Sequence, residues 1–378
     1  MKNLDDNIEI RPVTTKKELA AFIYLPEKIH KNHKNWLYPI YTDEFLFFNP
    51  KKNKAFNYSD TVLALAYKNN VPVGRIMGII NHRYNELHNE NHGRFCFLEC
   101  YNDQPVFDAL LLYVENWVKE KGMNKLVGPL GFSDDNPQGF LVDGFDEPTV
   151  MITNHSYRYM VDLLHKHPFY KRLDLVQYRV RIPEQIPEVY NKIAERTLLR
   201  GYKLIEFTSR KQIKPYIHRV FELMNACYTH IFGYVPFTTE EMDDFAARYL
   251  PILNPKFIKV VLNSNNELVA YAIGMPNASV GINKAKGKLF PIGFIKILWG
   301  MRKAKQLDML LGAVRHDQRG LGLDSLMAHA LLTSANKAGM TLIDSHHVME
   351  TNTPMRSVYE KINGEIYKRY RIFEKDLA

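Results

Sequence analysis

The stretch LLGAVRHDQRGLGLDSLM, Leu310–Met327, decides how the chain folds. Leu310 to Val314 are apolar or small and read as the end of a buried strand. A polar loop, Arg315 to Arg319, follows, and Gly320 and Gly322 lead into an apolar-periodic run. That run predicts a helix ending near Gly339. A strand that passes through glycines into a helix sets the unsatisfied N–H groups and positive end of the helix beside the strand tip. Such a junction receives phosphates, because glycines allow a close approach and the helix end supplies donors. Asp324 sits in the first turn, where it favours the helix dipole and would repel a bound anion.

Composition sets the frame for that junction. The chain has 378 residues, 46% hydrophobic and 24% charged, enough for two domains or one domain of two similar halves. Aromatic residues reach 12%, with 22 Tyr and 21 Phe, which favours buried clusters or apolar pockets. A net charge of +9 suits a nucleotide-like cofactor, an acidic membrane surface or nucleic acid, and equally suits plain solubility. The three cysteines, Cys96, Cys100 and Cys227, form neither a disulfide framework nor a metal-binding pattern. In the strand-like run RFCFLECY, alternation puts Cys96 and Cys100 on one face. The start MKNLDDNIEI is polar, so no signal peptide is expected. No apolar run is long enough for a spanning helix. A cytoplasmic protein, with association at the inner face of the membrane left open, is the expectation.

Outward from Leu310–Met327, two segments repeat one order of elements. The first opens with the strand NIEIRPVTT and the helical, aromatic-rich ELAAFIYLPEKIHKNHKNW. TVLALAYKNN and VPVGRIMGIINHR form a hairpin turning at Asn69-Asn70. GRFCFLECY is a strand, PVFDALLLYVENWVKEKGM a helix stopped by Gly122, and NKLVGPLGF a further strand. The second segment runs from the strand GYKLIEFTS through helices IKPYIHRVFELMNACYTHIF and TTEEMDDFAARYLPIL, the latter opened by a Thr cap. KFIKVVLNS and ELVAYAIGMP form a hairpin across Asn265-Asn266, and LDMLLGAVRHD is the strand before the glycines. TLIDSHHVM, TPMRSVYEKIN and YKRYRIFEK close the segment as strand, helix and strand. Prolines between Pro183 and Glu188 mark a boundary, giving domains 1–185 and 186–378.

This order, together with Arg319-Gly320-Leu321-Gly322-Leu323-Asp324, resembles the GNAT acyltransferase fold, whose loop has the form Q/R-x-x-G-x-G/A. Asp324 departs from the pattern, which has Gly or Ala there. ETNTPMRSVYEKING is similar to the family's N-x-x-A-x-x-L-Y-E-K-x-G-F, with Met355 for Ala and Asn363-Gly364-Glu365 for the ending. The resemblance implies an α/β (α+β) fold of two GNAT-like halves, each a mixed, mostly antiparallel sheet flanked by helices. It implies acyl-CoA or acetyl-CoA as co-substrate, no metal, and a cofactor site at Ala313, Val314, Arg319, Gly320, Leu321, Gly322, Leu323 and Asn352. Tyr359 takes the position of the tyrosine that protonates the leaving thiolate, or packs as an ordinary helix residue. NKLVGPLGFSDDNPQGFLVDGFDEPTVMITNHSYRYMVDLL, FGYVPFTTEE and YKRYRIFEK narrow the resemblance to a bacterial family of tandem GNAT-like proteins. In the first half CYNDQPVFDALL has Pro105 and no glycine, which implies a degenerate half that completes an acceptor cleft.

Acylating an amine needs a base, an oxyanion donor and an acid for the thiolate. His316, His346, His347 and Glu350 are the base candidates, with His346, Glu350 and Tyr359 taken as catalytic. Strand alternation puts His346 and His347 on opposite faces, so only one faces a cleft. The family's oxyanion donor is a bulged amide, here near Ala313–Val314. Ser133, Asp135, Asn136, Asp143, Asn154 and Tyr157 are candidates to hold an amine substrate, or form an Asx-rich surface turn. An N-acyltransferase acting on a small-molecule or lipid amine, a sphingoid-type base among them, is the leading expectation. A non-catalytic GNAT-like binding protein and an aminoacyl transferase of the peptidoglycan-bridge type remain open, and no nucleic-acid partner is expected. One segment stands outside the repeat: KLFPIGFIKILWGMRKAK, Lys288–Lys305, in a connection too long for a hairpin loop. No acidic residue occurs from Lys284 to Lys305. The segment is expected to line an acyl tunnel, touch a membrane surface or pack as a core helix.

Overall fold

The computed structural model describes residues 8–377. The chain begins with β1 (Ile8–Pro12), α1 (Lys16–Ile29), α2 (Tyr41–Phe47), β2 (Ser59–Lys68), β3 (Val71–Asn81) and α3 (His82–His88). It continues with β4 (His92–Cys100), α4 (Gln104–Glu120), β5 (Lys125–Gly128), β6 (Phe140–Asp143), α5 (Arg158–Leu164) and β7 (Tyr170–Arg181). Next come α6 (Glu188–Leu199), β8 (Lys203–Glu206), α7 (Arg210–Ile213), α8 (Ile217–Cys227), α9 (Thr239–Tyr249), β9 (Ile258–Leu262) and β10 (Leu268–Pro276). The long connection carries α10 (Ser279–Ala285) and α11 (Gly293–Arg302). Then follow β11 (Gln306–Val314), α12 (Leu323–Lys337), β12 (Leu342–Asp344), β13 (Val348–Met349), α13 (Thr353–Glu360) and β14 (Glu365–Asp376). Local chemistry places many of these ends. Thr15 with Glu18 and Thr238 with Glu241 form reciprocal capping boxes that open α1 and α9. Asn69 and Asn70 both take positive φ, so a tight turn joins β2 to β3.

Two compact units result. One takes the chain through Val176, with Gly281–Ile297 and the stretch from Lys368; the other takes Gln177–Val280 and Leu298–Tyr367. The first unit's strands run β1-β2-β3-β4-β5-β14, antiparallel except for the parallel pair β4–β5. The second unit's run β8-β9-β10-β11-β12-β7, antiparallel except for the parallel pair β11–β12. The two patterns are the same, with one strand of each exchanged. The closing strand YKRYRIFEK, expected to finish the second half, lies against β5 through Phe373–Asp376. The end of β7 lies against β12 through Arg179–Arg181. Contiguous domains 1–185 and 186–378 therefore differ from the observed units, because strand exchange and the grouping of 281–297 leave no local signal.

A bulge in each unit alters the side-chain alternation. In β4, Met77 opposes Cys96 and Arg75 opposes Glu99, so one residue is extra; Phe97 has a φ of 50°. The extra residue moves Cys96 into the cluster with Phe22 and Met77, and Cys100 into the cluster with Leu110 and Val114. The two thiols thus face opposite sides of the sheet, not one side as strict alternation predicts. Burial pushes both thiols up, so they stay protonated. In β11, Leu311 opposes Ile273 and Met309 opposes Gly274, which leaves Leu310 extra.

The first unit's core is the apolar stripe of α4, Val106, Phe107, Leu110, Leu111, Val114 and Val118, each fully buried. Each such side chain contributes about 1.5–3 kcal/mol on burial. On the opposite face, Arg75 donates from Nε to Glu99 Oε2 at 2.9 Å, and His30 Nε2 lies 3.2 Å from Glu99 Oε1. Burial alone would raise the Glu99 carboxyl, but Arg75 and His30 outweigh it and hold it at about 2. Its ionised form therefore stabilises the fold above its unfolded value near ~4.3, and that stability is lost as pH falls towards about 2. Glu99→Gln should lower the unfolding free energy in urea titrations by roughly 3 kcal/mol at neutral pH, because Arg75 is left buried without its carboxylate. The difference between variant and parent should shrink as pH falls from about 4 to about 2.

Candidate active site

β11 and β12 pair only over Gln306–Asp308 and Leu342–Asp344, and then part. From Met309 to Val314, β11 keeps β10 on one edge. Arg315 N donates to Val269 O on that edge, so alternation turns the polar backbone groups of Gly312 and Val314 to the other. There the Tyr228 hydroxyl, just past α8, donates to Gly312 O at 3.0 Å and accepts from Gly312 N at 3.1 Å. Val314 O accepts from Arg319 Nε at 3.4 Å and from Cys227 Sγ at 3.7 Å. Ala313 instead pairs with Tyr271 of β10, and its side chain packs against the second unit's core cluster. The edge at the fork is therefore formed by Gly312 and Val314 rather than Ala313, and the bulge lies at Leu310 rather than near Ala313–Val314.

The glycine loop ends on an open helix. Gly320 and Gly322 have φ of 76° and 90°, a conformation that disfavours any side chain. A Cβ on Gly322 would also lie 2.7 Å from Thr197 Oγ1 and 2.8 Å from Ile193 Cγ2, both on α6. Gly322 is the N-cap of α12 and offers no side-chain acceptor, so the first-turn N–H groups have neither an intrahelical partner nor a cap. Asp324 is exposed in that turn and lies near Tyr190 of α6, whose phenol is raised by burial and then by this carboxylate. Arg319, His316 and His230 gather beside the loop. Burial, then Arg319 and His316, keep the His230 imidazole below its ordinary value. The first unit fills the corresponding place itself. At the head of α4, Asp103 Oδ1 accepts from Val106 N at 3.3 Å, and Asp103 Oδ2 accepts from Lys68 Nζ at 2.7 Å. One helix end carries the chain's own carboxylate; the other is open.

Tyr359, on α13, is buried and stacks on Tyr178 with ring centroids 5.4 Å apart. Burial, then the Asp344 carboxylate and the Tyr228 phenol, push its hydroxyl up, so it stays protonated. Tyr178 is fixed in turn: its hydroxyl donates to Glu360 Oε1 at 2.7 Å and accepts from Arg356 Nε at 3.0 Å. His346 and His347 are not on a strand. β12 stops at Asp344, whose Oδ1 accepts from His346 N at 2.8 Å, and His346 has a φ of 55°. The alternation expected for the two histidines therefore does not apply. Glu350 follows β13, and its carbonyl accepts from Arg356 Nη1 at 2.9 Å. Asn352 caps α13, accepting from Met355 N at 3.2 Å, so its side-chain oxygen is already committed.

The six residues proposed to hold an amine lie in the first unit, and most of them shape their own loop. Asn136 Oδ1 accepts from Phe132 N and Ser133 N, Asp143 from Gly144 N, and Asn154 Nδ2 donates to Gly139 O. Asp135 accepts from Asn136 Nδ2, and Tyr157 stacks on Tyr159 and His30. Ser133 Oγ donates to Asp134 Oδ1 at 3.2 Å. Asp134 itself, quoted in the loop but outside the six, is pushed up to about 7 by burial and then by Asp135. Tyr228, Tyr178 and His230 went unmarked in the sequence, because only contacts across long chain separations reveal them. Among the described residues no group of three or more His, Cys, Asp or Glu is placed to hold a metal ion.

An anion bound at the open end of α12 will favour the protonated form of His230. Binding of pyrophosphate should therefore take up protons at this histidine around and below its ordinary value of ~6.5, because the unbound imidazole is held below that value. Calorimetry in buffers of different ionisation enthalpy should show the uptake, and His230→Gln should abolish it.

No family model matches the chain. It is 27% identical over 379 residues to the bacterial ceramide synthase of Caulobacter vibrioides, covering 98% of both chains. It is 26% identical over 382 residues to protein YghO of Escherichia coli K12, covering 97% of this chain and 95% of that one. Among solved structures, a tandem GNAT protein from the clavulanic acid biosynthesis pathway superposes with a TM-score of 0.57 at 11% identity, over 98% of this chain and 99% of that one. A GCN5-related N-acetyltransferase from Sphaerobacter thermophilus gives 0.52 at 12% identity, over 99% and 97%. The repeated strand order, the parallel pair that parts and the likeness along the whole chain agree: this chain has the fold of the tandem GNAT proteins.

Proposed function

We propose that the chain moves an acyl group from an acyl-coenzyme A thioester to a primary amine, and that the amine is a long-chain lipid base. The observation that carries this reading is the open, glycine-capped end of α12 at the tip of the parted strand β11, with a protonated phenol on α13. The fold and the relative named bacterial ceramide synthase support acyl transfer, and that name supports a sphingoid-type acceptor. The donor's pyrophosphate fits the amides from Gly320 to Leu323 together with Arg319. Its amide-bearing arm fits the edge of Gly312 and Val314.

The chain's own groups then divide the chemistry. A thiol near pKa ~8.5 is a stronger acid than a phenol raised above its ordinary value of ~10. Full proton transfer from Tyr359 to the leaving sulfur is therefore uphill, and Tyr359 acts by donating a hydrogen bond to it. His346 or Glu350 takes the proton from the amine, with His346 held through its backbone by Asp344. Tyr228 already bonds both polar groups of Gly312, so a donor arm that pairs there must displace it.

The test is mass spectrometry of the purified chain with palmitoyl-coenzyme A and a sphingoid base. A long-chain amide should form, and Tyr359→Phe should cut kcat by about 10²-fold with little change in KM. Tyr228→Phe should lower KM for the thioester. Failure to consume any thioester, of any chain length and with any amine, would contradict the reading.

A further inference from the structure

The segment Gly281–Ile297 is held in the first unit at Gly287 and Asn283, and its own ends pack on each other. Tyr41 N donates to Gly287 O at 3.0 Å, and a Cβ on Gly287 would lie 2.0 Å from Pro39 O. Tyr38 N donates to Asn283 Oδ1 at 3.4 Å. A Cβ on Gly281 would lie 2.6 Å from the Ile297 Cα, so α10 packs on α11 with backbone nearly touching backbone. The helix pair is thus braced from beneath.

What α11 presents outward is unusual for such a braced element. Gly293, Ile297, Gly300 and Met301 are buried, at the spacing of one helix face. Phe294, Ile295, Leu298, Trp299 and Arg302 lie on the other face and are exposed. With Phe290 and Ile292, which precede the helix, these apolar side chains are between 44% and 75% exposed. An apolar side chain in a core would show almost no exposure, so the core-helix expectation does not hold for these six. Phe290 and Phe294 approach with ring centroids 6.5 Å apart, and Lys303 Nζ lies 3.9 Å over the Trp299 ring. Around them Lys284, Lys286, Lys288, Lys296, Arg302 and Lys303 are exposed, and no acidic residue occurs from Lys284 to Lys305.

We infer that this face docks on an anionic lipid bilayer, with the aromatic and aliphatic side chains entering the headgroup boundary and the basic ones meeting lipid phosphates. Two features select this occupant. The charged residues of the segment itself are all of one sign, so a second copy of the same segment would meet it with like charge. The apolar stripe is one helix face wide, which suits a helix lying in the interface plane, and no helix among the described residues is long and apolar enough to cross a membrane. The inference stands on exposure and charge and does not depend on the acyl-transfer reading.

Flotation of the full chain with vesicles tests it. Vesicles of equal parts phosphatidylcholine and phosphatidylglycerol should carry the chain upward, and phosphatidylcholine alone should carry it at least about tenfold less. Salt should release it. The pair Phe294→Ser and Trp299→Ser should lose at least about tenfold in bound fraction. The pair Arg302→Glu and Lys303→Glu should lose binding to the anionic vesicles. Unchanged melting temperatures would show that these exposed substitutions leave the fold intact. Equal binding by parent and variants, or no binding to anionic vesicles, overturns the inference. So does a chain that self-associates without binding vesicles and becomes monomeric in the Phe294→Ser, Trp299→Ser variant. Loss of vesicle binding with thioester turnover in detergent retained separates this inference from the proposed function.

Discussion

Two carboxylates face each other where the second unit's sheet opens. Asp308 and Asp344 are directly opposite at the last paired position of β11 and β12, and both are buried. Side chains opposite on adjacent strands point to one face about 5 Å apart, so two buried carboxyl groups meet there and each needs its own donors. Each carboxylate is supplied with donors from its own surroundings. Asn277 and Gln306 serve Asp308, while His346 N and the Tyr367 hydroxyl serve Asp344. The cost of burying two carboxyl groups there is offset locally, and the strands part immediately after them. The rest of the candidate site follows from that parting. It frees the edge of Gly312 and Val314, gives Tyr228 something to cap, and leaves Tyr359 beside Asp344.

The two units make the same fork and use it differently. In each, a parallel pair ends early and a bulge follows on the longer strand, at Phe97 in β4 and Leu310 in β11. The difference lies one turn further on. Asp103 supplies α4 with a carboxylate, and a cap of this kind is worth about 1 kcal/mol to its helix. Gly322 gives α12 a backbone turn and nothing more. The second unit forgoes that local stability and leaves the N–H groups of the first turn of α12 without a side-chain acceptor. Asp324 stands exposed in the same turn near Tyr190, where it favours the helix dipole and works against a bound anion.

The sequence was legible where physics is local. The capping boxes at Thr15 and Thr238, the turn at Asn69-Asn70 and the glycine loop before α12 all stand where residue chemistry puts them. It was illegible where one extra residue or a distant strand intervenes. The bulge at Phe97 sends Cys96 and Cys100 to opposite faces, and no periodicity in RFCFLECY announces it. The end of β12 at Asp344 removes the alternation assumed for His346 and His347. The exchange of β7 and β14 depends on pairings between opposite ends of the chain. Tyr228 meets Gly312 across 84 positions, so no window of sequence shows that it caps the edge. The insertion is intermediate: its apolar and basic content was plain, and its outward orientation came only with the packing of Gly281 against Ile297.

The central claim is that the end of α12 is an open anion site and the end of α4 a closed one. Hydrogen exchange of the full chain with and without coenzyme A addresses both ends in one measurement. The account predicts slowed exchange for the amides of Gly320 to Ser325, with Gln104 to Phe107 unchanged. Slowed exchange at Gln104 to Phe107, or none at Gly320 to Ser325 under saturating coenzyme A, would contradict it.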